Sequence, residues 1–384
     1  MTYLIDNEIS LLDDLLNRIA IKLQLDQTRR DKAELSYSAV SKFLENDEKF
    51  FSNLDINIYS QGSYRLGTTV KPKSGDEYDL DFVLEVNLDY KKYNPLILLD
   101  NLERRLRESE IYADKVERKK RCVGINYKND FHLDIIPATP KSYFSGDDIK
   151  ISDRRLISWL DSSPKGYVRW FESKYIEKRL LLEKAAAIEK LPDRKPYEFI
   201  QPLQRVVQLF KRNRDIYFEN ENKDFKTRSI ILTTLAGHYY KYENSENIAL
   251  SNILSGIYRK VLESSTPFEI TNPANPNEKF SDLWVEKPHL YAHFKSFIKD
   301  FYFKWKKLNE QVGIDKIGMI LKELFGESVS REVISEQAEY VNELRKKGLL
   351  KTTTLGTITT ASEIKSHSIP TNTNYGEISK AENN

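Results

Sequence analysis

Cysteine is almost missing from this chain: Cys122 is the only one in 384 residues. That excludes an intrachain disulfide and any zinc site built from several thiolates. Histidine is nearly as sparse, with five scattered at 132, 238, 289, 293 and 367. His289 and His293 are four apart, a spacing that puts two ligands on one helix face, but Pro288 adjoins them and no third ligand is near. No run of eighteen apolar residues occurs, and the first residues lack the pattern of a signal peptide, so the expectation is a soluble, cytoplasmic protein without membrane contact. Charge of one sign is also lacking: 60 Lys and Arg against 58 Asp and Glu leave +2, which gives no global electrostatic case for a nucleic-acid partner. No GxxxxGK[ST] phosphate loop and no internal repeat are present. What is plentiful is aromatic surface, 22 Tyr and 18 Phe, enough for a sizeable core, and the length fits two domains.

The chemistry is concentrated in three short stretches. Tyr78-Asp79-Leu80-Asp81-Phe82 reads as a strand, and alternation puts Asp79 and Asp81 on the same face. Two adjacent carboxylates repel unless a cation lies between them, and hard divalent cations such as Mg²⁺ take oxygen ligands. Asp134 lies in a second apolar run, Phe131 to Ile136, where an unpartnered charge would be expensive. As the third carboxylate on a neighbouring strand it completes a set suited to two metals and in-line displacement at phosphorus. Ahead of these, Gly62-Ser63 follows the strand-like Ile56 to Ser60. Gly62 permits a positive φ or a close backbone approach to phosphate. Ser63 offers a hydroxyl and an N–H to phosphate oxygens, and a short helix starting there would add further N–H groups. Each pair alone is weak; their conjunction is specific.

Periodicity predicts helices over 6–24 and 28–45, strands over 55–60, 78–87, 116–127 and 131–136, and a helix over 96–108 between the second and third strands. From Arg154 the pattern is helical: 154–161, 166–190, 196–219, 227–242, 247–264, 288–308, 314–325 and 328–348. Residues 351–384 hold few large apolar side chains and are expected to be a disordered tail.

These stretches resemble the polymerase-β-like nucleotidyltransferases. Within them the chain is similar to the bacterial cGAS/DncV-like nucleotidyltransferases (CD-NTases), the enzymes of antiphage CBASS systems that make cyclic oligonucleotides. The resemblance rests on Gln61-Gly-Ser-Tyr-Arg-Leu-Gly-Thr, Tyr78-Asp-Leu-Asp-Phe and His132-Leu-Asp-Ile-Ile-Pro. It extends to Ser163-Pro-Lys-Gly-Tyr167 with Trp170-Phe171, the helix Leu203 to Arg214, Ser229-Ile-Ile-Leu-Thr-Thr-Leu235, and Asn272-Pro-Ala-Asn-Pro276 leading to Asp282-Leu-Trp284. It implies an α+β protein of two lobes with a central cleft. A nucleotidyltransferase core of mixed sheet and helices would occupy residues 1–150 and a helical lobe 151–350. It implies NTP substrates (ATP, with GTP or pyrimidine NTPs), two Mg²⁺ ions with Mn²⁺ as the alternative, and release of pyrophosphate as a cyclic di- or trinucleotide forms. A downstream effector that senses the product and CBASS accessory proteins would be the partners, and nucleic acid would not be required. Asp79, Asp81 and Asp134 would be catalytic and metal-holding; Gln61, Gly62, Ser63, Lys211, Ser229 and Asp282 would bind nucleotide. A linear oligonucleotide synthase or RNA-tailing enzyme is the nearer alternative, and a catalytically silent nucleotide-binding protein the further one.

Several of these residues have plainer roles beside the implied ones. Lys211 would otherwise snorkel along its aliphatic helix, and Ser229 and Asp282 would cap helices. Arg65 either touches phosphate or braces the loop, and Tyr64 either stacks on a base or fills the core. Asn275 shares the Pro-rich segment before Asp282, which lies by the cleft in the family. The basic cluster Lys115, Arg118, Lys119, Lys120 and Arg121 cannot point one way from a strand and reads as a lysine-guarded edge.

Overall fold

In the computed structural model, the residues described are 11–73, 77–128, 130–142, 146–176, 200–311, 313–349, 351–353, 358–359 and 366–368. The chain opens with α1 (Leu11–Lys22) and α2 (Gln27–Glu45). Asp26 starts α2 by accepting a hydrogen bond from the Arg29 N–H, which satisfies one unpaired donor of the first turn. Then follow β1 (Ile56–Gln61), the single turn α3 (Gly62–Arg65), β2 (Tyr78–Val86), α4 (Ile97–Arg107), β3 (Val116–Arg118), β4 (Val123–Tyr127), β5 (Phe131–Pro140), β6 (Ile149–Asp153) and β7 (Ser158–Ser162). The helical half comprises α5 (Pro164–Glu172), α6 (Pro202–Tyr217), α7 (Ser229–Tyr239), α8 (Glu246–Glu263), α9 (Asp282–Glu286), α10 (Pro288–Asn309), α11 (Ile314–Phe325) and α12 (Glu327–Lys346), with the hairpin β8 (Thr271–Asn272) and β9 (Asn275–Lys279) before α9.

The strands form a mixed seven-stranded sheet, β1-β2-β5-β4-β3 with β6 and β7 continuing from β5. β2 and β5 run parallel; the other neighbours are antiparallel. One core lies between the sheet and α2 and α4, where Leu80, Leu84, Leu98, Leu102, Leu133 and Ile135 are buried. A larger core fills the helical half. α1 comes before the sheet in the chain, yet its stripe of Leu15, Leu16 and Ile19 joins this second core. Lys22 at its end pairs with Glu332 and Glu336 of α12.

The α+β class and the helical half agree with the sequence reading. The helix expected over 154–161 is not formed: β6 and β7 make a hairpin there. A short apolar run such as Leu156 to Leu160 fits either period, and the free edge of β5 settles it by accepting β6 as a neighbour. The strand expected over 116–127 is two strands folded back at 119–122. The end of the helix expected over 166–190 and the first residues of 6–24 and 196–219 lie outside the described residues. The tail, expected to be disordered, carries three short antiparallel strands: β10 (Lys351–Thr353), β11 (Ile358–Thr359) and β12 (Ser366–Ser368). Thr-rich segments favour the extended backbone, and ladder hydrogen bonds need no large apolar side chain. The remainder of 351–384 lies outside the described residues.

Candidate active site

Sheet register brings the sequence-separated parts into one row. Gln61 faces Asp81 across β1 and β2, Asp81 faces Asp134 across β2 and β5, and Asp134 faces Gly124 across β5 and β4. Gly62, one step beyond Gln61, turns the chain over this row with φ of 63°. A Cβ there would collide with the Asp81 carboxylate, so the position needs glycine for both conformation and space. Gly124 does similar service on the far side. A Cβ would lie 2.8 Å from Asp134 Oδ1 and 3.2 Å from Lys119 Cε, so the bare strand makes room for the lysine.

Asp79 is exposed to the cleft and Asp81 half-buried on its floor. Desolvation, and then the Asp79 and Asp134 charges, push the Asp81 carboxyl up to about 7. Asp79 is raised by desolvation and by Asp134. Ionising both carboxyls beside each other and away from water is therefore costly, and a hard divalent cation between them would offset that cost. Asp134 has a cation already: Lys119 Nζ lies 2.8 Å from both of its carboxylate oxygens. As they stand, no group of three or more His, Cys, Asp or Glu among the described residues is arranged to hold a metal.

The wall opposite the sheet comes from α6 and α7. A cleft of about 990 Å³ is lined by Gly62, Ser63, Asp79, Asp81, Lys211 and Ser229. Lys211 does not snorkel. It is buried, and its Nζ donates to the Thr68 carbonyl at 2.9 Å and the Thr68 hydroxyl at 3.1 Å. Desolvation and the nearby Arg214 depress its ammonium to about 7, against Asp215 and Asp81. Ser229 is the first residue of α7 rather than its cap, and its hydroxyl accepts from Arg214 at 2.6 Å. Ser63 accepts from the Thr69 hydroxyl at 3.1 Å.

The remaining candidates lie elsewhere. Asp282 is not in the cleft lining; it opens α9 and pairs with Arg228, the neighbour of Ser229. Gln61 sits on the strand end with its backbone in the ladder. Asn275 is buried and donates to Asp148 at 3.2 Å. Arg65 faces the buried Glu172 of α5 at 3.8 Å and so braces the loop, while Tyr64 packs on the sheet core. His289 and His293 pack on Phe225, the latter stacked at 4.1 Å. The basic cluster is not a bare edge: Arg118 pairs with Asp100 and Glu103, Lys120 and Arg121 pair with Asp153, and Lys119 belongs to the site. Sequence reasoning missed Thr68, Thr69, Arg214 and Asp215, which line or support the cleft. Arg214 was visible only as the last base in Lys-Arg-Asn-Arg, with nothing to say that it would turn inward.

Fold and site together define a nucleotidyltransferase. Residues 10–174 match the model of the Second Messenger Oligonucleotide or Dinucleotide Synthetase domain. A c-di-GMP synthase of Roseivirga ehrenbergii is 38% identical over 371 residues, which covers 95% of this chain and 97% of that protein. The chain belongs to the bacterial cGAS/DncV-like nucleotidyltransferases, the CD-NTases. The cyclic dinucleotide synthase CdnG of Bradyrhizobium diazoefficiens is 26% identical over 302 residues, 72% of this chain and 70% of that one. Its solved structure, in complex with GTP, shares the fold with a TM-score of 0.70 at 24% identity, covering 85% of this chain and 98% of that one. The CdnC:HORMA-deltaN complex of E. coli MS115-1 gives a TM-score of 0.59 at 17% identity, covering 83% and 97%. Among the described residues no helix is long and apolar enough to cross a membrane.

Proposed function

We propose that the protein condenses two GTP molecules into cyclic di-GMP with release of two pyrophosphates, using Mg²⁺ held by Asp79, Asp81 and Asp134. The observation that carries this reading is the pairing of Asp79 and Asp81 beneath Ser63, facing a cleft of about 990 Å³ whose far wall is basic. That volume is at the upper end of the roughly 300–1,000 Å³ of ordinary ligand sites. It leaves room for a donor and an acceptor nucleotide.

Bound Mg²⁺, or Mn²⁺ in its place, supplies Lewis acidity to the attacking ribose hydroxyl and charge neutralisation to the departing pyrophosphate. The chain's own residues do the rest. Asp79, Asp81 and Asp134 would supply the oxygen ligands, Asp134 from its pair with Lys119. Gly62 and Ser63 present N–H and hydroxyl donors to the donor's phosphates, and Lys211 and Ser229 close on them from the helical wall. The ribose hydroxyl gives its proton to a carboxylate of the Asp set and attacks the α-phosphorus; a P–O bond forms, the bond from the α-phosphorus to the α–β bridging oxygen breaks, and pyrophosphate leaves. The same exchange from the second nucleotide closes the ring.

Guanine is chosen because the Roseivirga relative is named a c-di-GMP synthase and the Bradyrhizobium structure holds GTP. The setting we propose is cytoplasmic antiphage (CBASS) defence, with a product-sensing effector downstream and an accessory partner of the kind seen with CdnC. The test is mass spectrometry of the product from GTP alone, ATP alone and mixed NTPs, without RNA. A phosphatase-resistant cyclic di-GMP from GTP alone is expected. A linear product would establish the linear synthase, a cyclic product with another base would overturn the guanine choice, and no pyrophosphate release would leave a silent nucleotide-binding protein.

A further inference from the structure

After α3, from Leu66 to Lys73, the chain runs as an irregular loop along the cleft wall. One face of α6 holds it by its carbonyls. Gln204 Nε2 donates to Leu66 O at 2.8 Å. Gln208 Nε2 donates to Thr69 O at 3.0 Å and Gly67 O at 3.4 Å. Lys211 takes Thr68 O, and Arg212 Nη2 takes Lys71 O at 2.7 Å. The spacing 204, 208, 211, 212 is that of one helix face. All four side chains are buried, a costly arrangement unless each polar group finds a partner. Gly67 has φ of 65°, and a Cβ there would lie 2.6 Å from Gln204 Nε2, so the glycine lets the helix come this close. From α1's end, Gln24 Nε2 donates to Gln208 Oε1 at 2.7 Å. That bond fixes which end of the Gln208 amide meets the loop.

We propose that Gln204, Gln208 and Arg212 are positioning residues for nucleotide transfer: by gripping the carbonyls of Leu66, Gly67, Thr69 and Lys71 they hold the loop that presents Ser63 to the nucleotide's phosphates. The inference rests on the nucleotide-transfer reading above. Thr69 is the link, since the residue whose carbonyl Gln208 holds also donates its hydroxyl to Ser63. A loop released from this grip spends only a fraction of its time in the binding-competent position. Apparent affinity falls by that fraction, while the bound complex reacts as before.

The experiment uses Gln208→Met, which keeps length and loses both donors, with Gln24→Leu as a milder second variant at a half-buried position. Steady-state kinetics with GTP and Mg²⁺ should show KM for GTP raised about fivefold, as expected for a lost hydrogen bond, with kcat within about twofold of wild type. A merely structural role would reduce the active fraction, lowering kcat at unchanged KM. Hydrogen–deuterium exchange of amides 62–71 in the nucleotide-free proteins should be faster in both variants. If Gln208→Met does not fold, Gln24→Leu decides on the same two measurements. Unchanged KM or unchanged exchange overturns the grip. A wild-type protein that releases no pyrophosphate from any NTP instead overturns the function, and the exchange comparison still decides whether the loop is held.

Discussion

Asp81 is held in its folded place at a cost. The folded chain binds its proton more tightly than the unfolded chain does, so ionising it removes stability: the penalty is absent below about pH 4, grows between there and about pH 7, and is complete above. In chelator, Asp81→Asn should therefore melt higher than wild type by a margin that widens from pH 5 to pH 8, reaching roughly 2 °C or more. The same variant should release no pyrophosphate. Equal margins at both pH values, or near-normal turnover, would refute the carboxylate assignment. Lys211 has the opposite sign. Its ammonium, depressed to about 7, is only partly protonated at neutral pH, and a triphosphate beside it favours the charged form. Metal-free GTP binding at pH 7.5, followed calorimetrically in buffers of different ionisation enthalpy, should take up protons in wild type and fewer in Lys211→Met, the remainder going to Asp81. The variant should also need several-fold more NTP for half-maximal rate, roughly as for a charge-assisted hydrogen bond.

At the scale of elements, the one-turn helix α3 depends on Gly62. Gly62→Ala asks an L residue to adopt a left-handed backbone, at about 1–2 kcal/mol. It also drives a methyl into the Asp81 carboxylate. Turnover should fall at least about a hundredfold, in the manner of a misplaced reacting group, while the protein still folds. Turnover close to wild type in the soluble variant would show that the loop relocates freely. The elements that carry the carboxylates were legible because Asp79 and Asp81 lie in a strongly apolar, alternating strand, and Asp134 in another. Their meeting was not, since only the parallel register of β2 and β5 sets Asp134 beside Asp81. Lys119 was hidden for a similar reason. It reads as one base among five until the turn at 119–122 swings it over Gly124. The hairpin of β6 and β7 escaped because Leu156 to Leu160 is too short for its period to decide between helix and strand, and tertiary pairing decided it.

For the whole molecule, the strands of the tail pair with one another, and none of its described residues is in the cleft lining. Ending the chain after Leu350 should leave turnover and melting temperature nearly unchanged, because little apolar surface is lost at roughly 25 cal/mol per Å². A clear drop in melting temperature would mean that the tail docks on the body. The opposite end behaves differently. α1 gives Leu15, Leu16 and Ile19 to the helical core, where it packs on α6 and α8 and, through Lys22 with Glu332 and Glu336, on α12. On the ribosome α1 must therefore wait for α6 and α8, and last for α12, all made long after it. At about 5–20 residues per second that is on the order of tens of seconds, over which the apolar stripe of α1 is covered in stages. A nascent chain stopped before α6 should therefore expose that stripe and bind a chaperone more strongly than one stopped after α8.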